Sequence, residues 1–209
     1  MFDFLPVQGS TLKKLLWLRK VTGGSSLPAE YREVLGFTYA ANTYYQITNF
    51  KMYGTYTTRV SFMCTEDPPA RNVLGAQSSN PDATTNNYSL HVGSSAAKLL
   101  RYNGGTYSSY VLPNKRYDVV ITPTGSLGLE VDSTWAKKSF RSEYAMCVGA
   151  TSTSSTRKFV GSIYGHIVID GYLNLIPCER LSDHVLGYYD TVNETFYEPI
   201  GDPPTEITA

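Results

Sequence analysis

The chain has 209 residues, a length that fits one large β-domain or one domain with a short tail. Eighteen basic residues balance eighteen acidic ones, so no basic field attracts nucleic acid or an anionic membrane surface, and neither partner is expected. Seventeen Tyr, seventeen Gly and eleven Pro residues favour strands joined by many turns and predict an all-β protein. The formal net charge of +0 also favours self-association, so we expect a homo-oligomer.

Residues 1–26 differ from the rest of the chain and predict an N-terminal docking segment followed by a linker. Leu12, Leu15 and Leu16 follow helical spacing, although the same run also fits a strand. A segment this short is not stable alone, so it packs either on its own domain or, with Trp17, on a partner protein. We keep both alternatives. No apolar run is long enough to cross a bilayer, so membrane insertion is not expected.

From Leu27 onward, alternating apolar residues and turn signals predict about eleven short strands, as in a sandwich or barrel. Asp170-Gly171 is predicted to form a two-residue type I′ turn, in which both residues have positive φ. The predicted strands cover residues 44–47, 57–63, 72–77, 88–92, 98–102, 116–122, 127–131, 134–140, 145–150, 159–169 and 172–176.

The cysteines and histidines do not follow the spacing of a metal site. Cys64, Cys147 and Cys178 are an odd number without a CxxC pair, so at least one thiol is free in a monomer. We expect all three to be small buried apolar residues. The three histidines have no metal-ligand spacing with one another or with the cysteines, and they are His91, His166 and His184.

Two stretches of the chain resemble a known family. The opening stretch reads Leu27-Pro28-x-Glu30-Tyr31-x-x-Val34 and then Thr43-Tyr44-Tyr45-x-Ile47. The closing stretch reads Phe159-x-Gly161-x-Ile163-Tyr164, Ile169-Asp170-Gly171, Leu175-Ile176-Pro177-Cys178 and Gly187-x-Tyr189-Asp190-Thr191-Val192-Asn193-x-x-Phe196-Tyr197. Both resemble laminin-G-like, concanavalin-A-like domains of bacteriophage structural proteins and their prophage relatives.

The resemblance implies a fold and a setting. The fold is an antiparallel two-sheet jelly-roll sandwich over residues 27–200, with the docking segment 1–26 before it and a tail of residues 201–209 after it. The setting is a virion assembled in the cytoplasm of a bacterial host, where the protein is a tail fibre, another appendage or a head decoration protein. Residues 1–26 then dock to other virion proteins. We interpret the closing stretch itself as architecture, because a fold does not specify a function.

Catalysis is not expected, although some glycosidases with this sandwich use a Glu-x-Asp-x-Glu strand. Here Glu130 and Asp132 match the first two acids, but Thr134 replaces the third. Retaining hydrolysis needs two carboxyl groups, so the missing acid removes the acid–base partner. Such sandwiches also often hold calcium at one rim. Asp82 and Asp170 are candidate oxygen ligands, but no EF-hand-like spacing supports them, and no cofactor is expected.

Glycan binding is the activity that the aromatic residues favour. Residues 102–110 are predicted to form a Tyr/Asn/Ser/Gly loop, a mixture typical of recognition loops. Aromatic rings also stack on the apolar faces of sugars. The candidate ligand-binding residues are Tyr102, Asn103, Tyr107, Tyr110 and Trp135. The alternative is that these rings fill the core or a subunit interface.

Three functions therefore remain open from the sequence. In the first, the sandwich of a virion appendage or decoration protein binds a polysaccharide of the host surface. In the second, it is a structural clamp or padding protein without glycan binding. In the third, which the missing acid disfavours, it degrades a glycan.

Overall fold

A computed structural model describes residues 27–54, 57–65, 71–76, 88–92, 99–102, 105–121, 140–150 and 158–208. Within these ranges the regular structure is entirely β, and no helix occurs, which confirms the predicted all-β class. The strands are β1 (Tyr31–Glu33), β2 (Gly36–Tyr39), β3 (Tyr45–Gly54), β4 (Thr58–Cys64), β5 (Arg71–Ala76), β6 (Tyr88–Val92), β7 (Leu99–Tyr102), β8 (Gly105–Tyr110), β9 (Arg116–Ile121), β10 (Phe140–Val148), β11 (Gly161–Ile169), β12 (Leu173–Arg180), β13 (Val185–Asp190), β14 (Thr195–Tyr197) and β15 (Thr205–Glu206).

The described strands form two antiparallel sheets. In the first sheet β14, β13, β12 and β11 follow one another, and β11 then pairs with both β2 and β4. Strand β2 continues to β15, β4 continues to β9, and β1 pairs with β12. The second sheet has the order β3-β10-β5-β6-β7-β8.

Alternate residues of both sheets meet in one hydrophobic core, as expected when each strand directs every second side chain inward. Tyr45 of the second sheet joins the two layers. Its ring centroid lies 4.8 Å from that of Tyr188 and 6.0 Å from that of Phe37, both in the first sheet. The hydroxyls of Tyr39 and Tyr188 are hydrogen-bonded at 3.0 Å inside this core. This packing is consistent with a β-sandwich.

The first sheet is forked, because β1 and β2 enter it between β12 and β11. The β12 ladder with β11 ends at Leu175, and its ladder with β1 begins at Cys178. Pro177 lies between them, inside β12, and not at a strand end or edge as its missing N–H predicts. Its carbonyl accepts a hydrogen bond from the Val34 N–H at 2.9 Å. In an antiparallel pair, the N–H and C=O of one residue point to the same neighbouring strand. The Pro177 nitrogen, which has no hydrogen to donate, therefore points to the same side as its carbonyl, toward the fork.

Two local predictions from the sequence are wrong. Residues 105–110 form strand β8, which pairs with β7, so the predicted recognition loop is largely a β-hairpin. The turn after β11 has three residues, because Ile169 pairs with Leu173. Only Gly171 has positive φ there, at 80°, so the turn is not type I′.

Other differences concern short strands at the two ends of the described chain. The predicted tail contains β15, which pairs with β2, so these C-terminal residues belong to the sheet. Strands β1, β2, β13 and β14, which have three to six residues each, were not among the predicted strands. Predicted strand 127–131 lies outside the described residues, as does all of 134–140 except Phe140, which begins β10.

Candidate functional site

The structure describes three of the five predicted glycan-binding residues. Tyr102 ends β7, and Tyr107 and Tyr110 belong to β8, at one side of the second sheet. Nothing further is described of these three side chains, and Asn103 and Trp135 lie outside the described residues. Their role in binding stays a prediction. The predicted docking residues also lie outside the described part, and they are Leu12, Leu15, Leu16 and Trp17.

A cluster of rings on the outer face of the first sheet is the candidate site that the structure adds. We call Tyr31, Arg180, Tyr189 and Phe196 the Phe196 patch. The ring centroids of Tyr31 and Phe196 are 5.1 Å apart and stacked, and those of Tyr31 and Tyr189 are 4.9 Å apart. The guanidinium carbon of Arg180 lies 4.8 Å from the Phe196 ring centroid. Four strands thus contribute one residue each to a compact aromatic surface.

Strand register explains why these residues meet. Tyr31 is the partner of Arg180, and Tyr189 is the partner of Phe196, so each pair projects from the same face. Their sequence neighbours Tyr188 and Tyr197 belong to the hydrophobic core. The period of two in a strand therefore places the patch on the opposite face, away from the core.

Glycine at position 187 makes room for this surface. A Cβ atom at Gly187 would come within 2.4 Å of Phe196 Cζ, which is shorter than any normal contact. The phenyl edge therefore rests on bare backbone. The patch depends on a residue that contributes no side chain to it.

Two carboxylates hold the Arg180 guanidinium over the phenyl ring. Its Nε donates to both carboxylate oxygens of Asp183, at 3.0 and 3.1 Å, and its Nη2 donates to Asp183 at 2.6 Å and to Glu198 at 2.7 Å. These bonds raise the pKa of Arg180 and lower the pKa of Asp183. The side chains of Asp183 and Glu198 remain 44% and 56% exposed, so both carboxylates can still accept further hydrogen bonds.

Two further acids lie beside the tyrosines of the patch. Burial raises the pKa of Tyr189, and the nearby charge of Glu194 raises it further. Burial and the charge of Glu30 raise the pKa of Tyr31 in the same way. Neither tyrosine hydroxyl is hydrogen-bonded to a residue that the structure describes. The patch therefore offers the partly exposed rings of Tyr31 and Phe196 and accessible carboxylates, which are groups that bind the faces and hydroxyls of a sugar.

A second Arg–aromatic pair lies further across the same sheet. The guanidinium carbon of Arg116 is 4.6 Å from the ring centroid of Tyr164. Arg116 Nε donates to Ser61 Oγ at 2.7 Å, and Ser61 Oγ donates to Asp118 at 2.6 Å. This arrangement repeats the ring, guanidinium and carboxylate of the Phe196 patch, but it has one partly exposed ring where the Phe196 patch has two.

A buried histidine lies at the fork of the first sheet. His166 is 2% exposed, and its Nε2 is 3.2 Å from Glu33 Oε1. Its Nδ1 is buried without a hydrogen-bond partner among the described residues. The cysteine on the neighbouring strand, Cys178, is paired in register with Glu33, but burial raises its pKa to about 12, so its thiol is not ionised at neutral pH.

Metal and thiol chemistry find little support in the part of the chain that the structure covers. Within it, no group of three His, Cys, Asp or Glu residues is arranged to hold a metal ion. Asp170, one predicted calcium ligand, is instead paired with Arg59 at 3.3 Å, and Asp82 lies outside the described residues. The cysteines are free and buried, as predicted, and they are Cys64, Cys147 and Cys178.

The sequence did not single out the Phe196 patch as a binding site. Tyr31, Tyr189 and Phe196 are all in the family-like stretches, and we interpreted the closing stretch as architecture alone. The Phe/Tyr and Asp/Glu/Arg content of residues 179–198 was a visible signal. The sequence does not show that these residues form one surface, because that depends on the pairing of β1 with β12. The glycosidase-like residues Glu130, Asp132 and Thr134 lie outside the described residues.

Comparisons of the chain with family models, with curated proteins and with solved structures give no match. Among the residues that the structure describes, no helix is long and apolar enough to span a bilayer. The family resemblance therefore rests on the motif residues themselves, and what it implies about function is a proposal.

Proposed function

We propose that this chain is a bacteriophage virion protein whose jelly-roll sandwich binds a glycan of the host surface without transforming it. It serves as part of a tail fibre or other appendage, or as a head decoration protein. Residues 1–26 attach it to other virion proteins, and the sandwich projects outward. The observation that carries the binding function is the Phe196 patch.

The patch supports binding because it combines the two kinds of contact that sugars need. Tyr31 and Phe196 are partly exposed, so their rings can contact the apolar C–H groups of a pyranose. Asp183 and Glu198 are exposed acceptors for sugar hydroxyls, and the ion pairs with Arg180 already fix their positions. Acceptors that are fixed before binding lose little conformational entropy when a ligand arrives.

The resemblance supports the virion setting. The closing stretch from Phe159 to Tyr197 agrees with the family at many fixed offsets, and these residues form β11 to β14. In that stretch, the Asp190 carboxylate accepts hydrogen bonds from the backbone in and beside the turn after β13. Gly187 provides the bare backbone against which the Phe196 ring packs. The same stretch thus links the resemblance to the candidate binding surface.

A glycan array tests the binding function. The wild-type chain is compared with Tyr31→Leu and Phe196→Leu, with the matched control Tyr172→Leu, which alters a 51% exposed tyrosine outside the patch. Stacking losses of about 0.5–1.5 kcal/mol correspond to roughly three- to tenfold weaker binding for each patch variant. The control should bind like wild type. Circular dichroism and melting temperature confirm that each variant is folded.

The same array separates the patch from the residues predicted from sequence. Tyr107→Ala and Trp135→Ala test the second surface, and loss of binding only in these two would move the site there. Failure of the wild-type chain to bind any glycan on a broad array would overturn the proposed function. Release of reducing sugar from host cell-wall polysaccharide would show an enzyme instead.

Deletion of residues 1–26 tests the docking role. We expect the remaining sandwich to stay folded and soluble but to be absent from assembled particles. Loss of folding would show that the segment belongs to the core.

A structural clamp is the second candidate function, and one observation favours it. Tyr172 and Val192 are 51% and 50% exposed and lie in two adjacent turns. The turns are joined because Asn193 Nδ2 donates to the Tyr172 carbonyl at 3.3 Å. Paired exposed apolar residues are common in protein contacts. Tyr172→Ser/Val192→Ser would then prevent assembly while leaving glycan binding unchanged.

A further inference from the structure

The charges around the Phe196 patch are strongly unequal. Two acids, Asp183 and Glu198, bind Arg180 of the patch. Two more, Glu30 and Glu194, lie within two residues of an aromatic residue of the patch in the chain, and all four are exposed. Arg180 is the one cationic side chain of the patch, so these five groups have a formal charge of −3. The whole chain has a net charge of +0, so this excess is local to the patch.

Arg180 does little to attract an anionic ligand. Asp183 occupies its Nε and Asp183 and Glu198 occupy its Nη2, at distances between 2.6 and 3.1 Å. Its guanidinium also lies against the Phe196 ring. An incoming carboxylate or sulfate would also have to approach four like charges.

We propose that the Phe196 patch selects glycans that carry protonated amino groups and rejects acidic glycans. The inference rests on the proposed glycan-binding function and names the class of sugar that the same site takes. An ammonium group has three N–H donors, and exposed carboxylate oxygens are acceptors for them.

The geometry supports one arrangement of such a ligand. The sugar ring lies on the partly exposed side chains of Tyr31 and Phe196. Its amino group points toward Glu30, next to Tyr31 in the chain, or toward Glu194, two residues before Phe196. These two acids do not bind Arg180 in the described structure, so their charges are available to the ligand. A neutral sugar of the same shape keeps the ring contacts but loses the charge attraction.

Calorimetric titration of the full chain with three matched oligosaccharides tests the inference. The probes are a chitosan oligosaccharide, the N-acetylated chitin oligosaccharide of the same length, and an oligogalacturonate. At about pH 6 the amines are largely protonated and the carboxylates are ionised. We expect the chitosan oligosaccharide to bind at least about tenfold more tightly than the chitin oligosaccharide, and the oligogalacturonate not to bind.

Variants assign this selectivity to named charges. Glu30→Gln and Glu194→Gln should each weaken chitosan binding about threefold at low salt, an effect that salt near 1 M should remove. Neither should change chitin binding. Asp170→Asn is the matched control, because it removes an exposed carboxylate outside the patch, and it should behave like wild type.

The results separate this inference from the function on which it rests. Equal affinity for the chitosan and chitin oligosaccharides, or tighter binding of oligogalacturonate, would overturn the charge selectivity while keeping glycan binding. Chitosan binding that is unchanged in both Gln variants would also overturn it. Absence of binding to all three probes and to a broad glycan array would overturn the proposed function itself.

Discussion

The phenyl ring of Phe196 rests on the backbone of Gly187, where a Cβ atom would come within 2.4 Å of Cζ and within 2.5 Å of the Tyr197 carbonyl oxygen. The two residues lie on neighbouring antiparallel strands. Gly187 has no positive φ, so space and not backbone conformation requires glycine at this position. The aromatic patch and the packing of β13 against β14 therefore depend on the same contact.

Gly187→Ala is expected to destabilise the protein by about 1–3 kcal/mol, because the added methyl group has no room in a packed contact. Urea unfolding measures the loss. The double variant Gly187→Ala/Phe196→Ala should lose less than the sum of the two single variants, because the truncated ring no longer meets the methyl group.

Gly171→Ala provides the contrast for this prediction. A Cβ atom at Gly171 has nothing within 4 Å, but the residue has φ of 80°. Gly171→Ala should destabilise the protein by about 1 kcal/mol because alanine is strained at this positive φ. Asn tolerates positive φ better, so Gly171→Asn should cost less than Gly171→Ala. Additive losses in the Gly187/Phe196 double variant would show that the clash with the Tyr197 carbonyl oxygen, and not the clash with the phenyl ring, causes the destabilisation.

Asp190→Asn is expected to destabilise the protein by about 2–3 kcal/mol. The Asp190 carboxylate is fully buried and accepts from the backbone N–H groups of Asn174, at 3.1 Å, and Val192, at 3.0 Å. It also accepts from Asn193 Nδ2. The side-chain amide of asparagine would direct its own N–H groups toward these N–H donors in place of an accepting oxygen. Chemical denaturation measures the effect.

The exposed Asp170→Asn variant is the control for Asp190, and it should change stability by less than about 0.5 kcal/mol. A similar small effect at Asp190 would show that the turn after β13 does not depend on this carboxylate.

Acid is expected to weaken the contact between the C-terminal strand and the rest of the first sheet. Arg32 donates to Glu206 at 2.7 and 2.9 Å and to Glu179 at 2.7 Å. Its guanidinium lowers the pKa of Glu206, and hydrogen bonds from His184 and Arg32 lower the pKa of Glu179. The unfolded chain therefore binds more protons than the folded chain as pH falls through the ordinary glutamate range. Stability is lost there and is fully present above it.

Unfolding free energies between about pH 6 and pH 3 measure this dependence. Arg32→Gln should flatten the loss, whereas Arg59→Gln, which removes a longer ion pair at the other end of the sheet, should leave the slope largely unchanged. The total effect should be modest, because exposed ion pairs contribute little. An unchanged slope in Arg32→Gln would show that other carboxylates cause the acid sensitivity.

The thiols are expected to be unreactive in the folded protein. Burial raises the pKa of Cys147 to about 11 and that of Cys178 to about 12, and Cys64 is buried as well. Few thiolates exist near pH 8, and reagent cannot reach them. A disulfide reagent should therefore react only as the chain unfolds, and three thiols should react in urea. Rapid reaction of one thiol in the native protein would contradict this structure.

Several features could be predicted because they depend on local composition and period. The Tyr, Thr and Val content favoured strands, and β4, β6, β7 and β9 lie within one or two residues of their predicted positions. Tyr117 and Val119 are buried as their alternation predicts. The Asp170-Gly171 turn was placed correctly, although its type was not. Free, buried cysteines followed from their odd number and their spacing.

Partner strands could not be predicted in the same way. The period of two states which residues share a face, but it does not state which strand lies beside which. Strand β1 inserts next to β12, and β15 returns to β2, so both pairings join distant parts of the chain. The recognition loop was wrong for a related reason, since Tyr, Thr and Ser suit a strand as well as a loop once a neighbouring strand supplies hydrogen bonds.

By itself, the sequence determined that the protein is all-β, that Gly and Asp mark its turns, and that no strong charge field dominates it. Only the tertiary structure decided that Tyr31 meets Phe196 and that two carboxylates hold Arg180 over the phenyl ring. The physical reason is that strand content follows from local side-chain preference, whereas a surface site follows from register between strands. That register depends on packing in the shared core and on where a bare glycine allows a ring to lie.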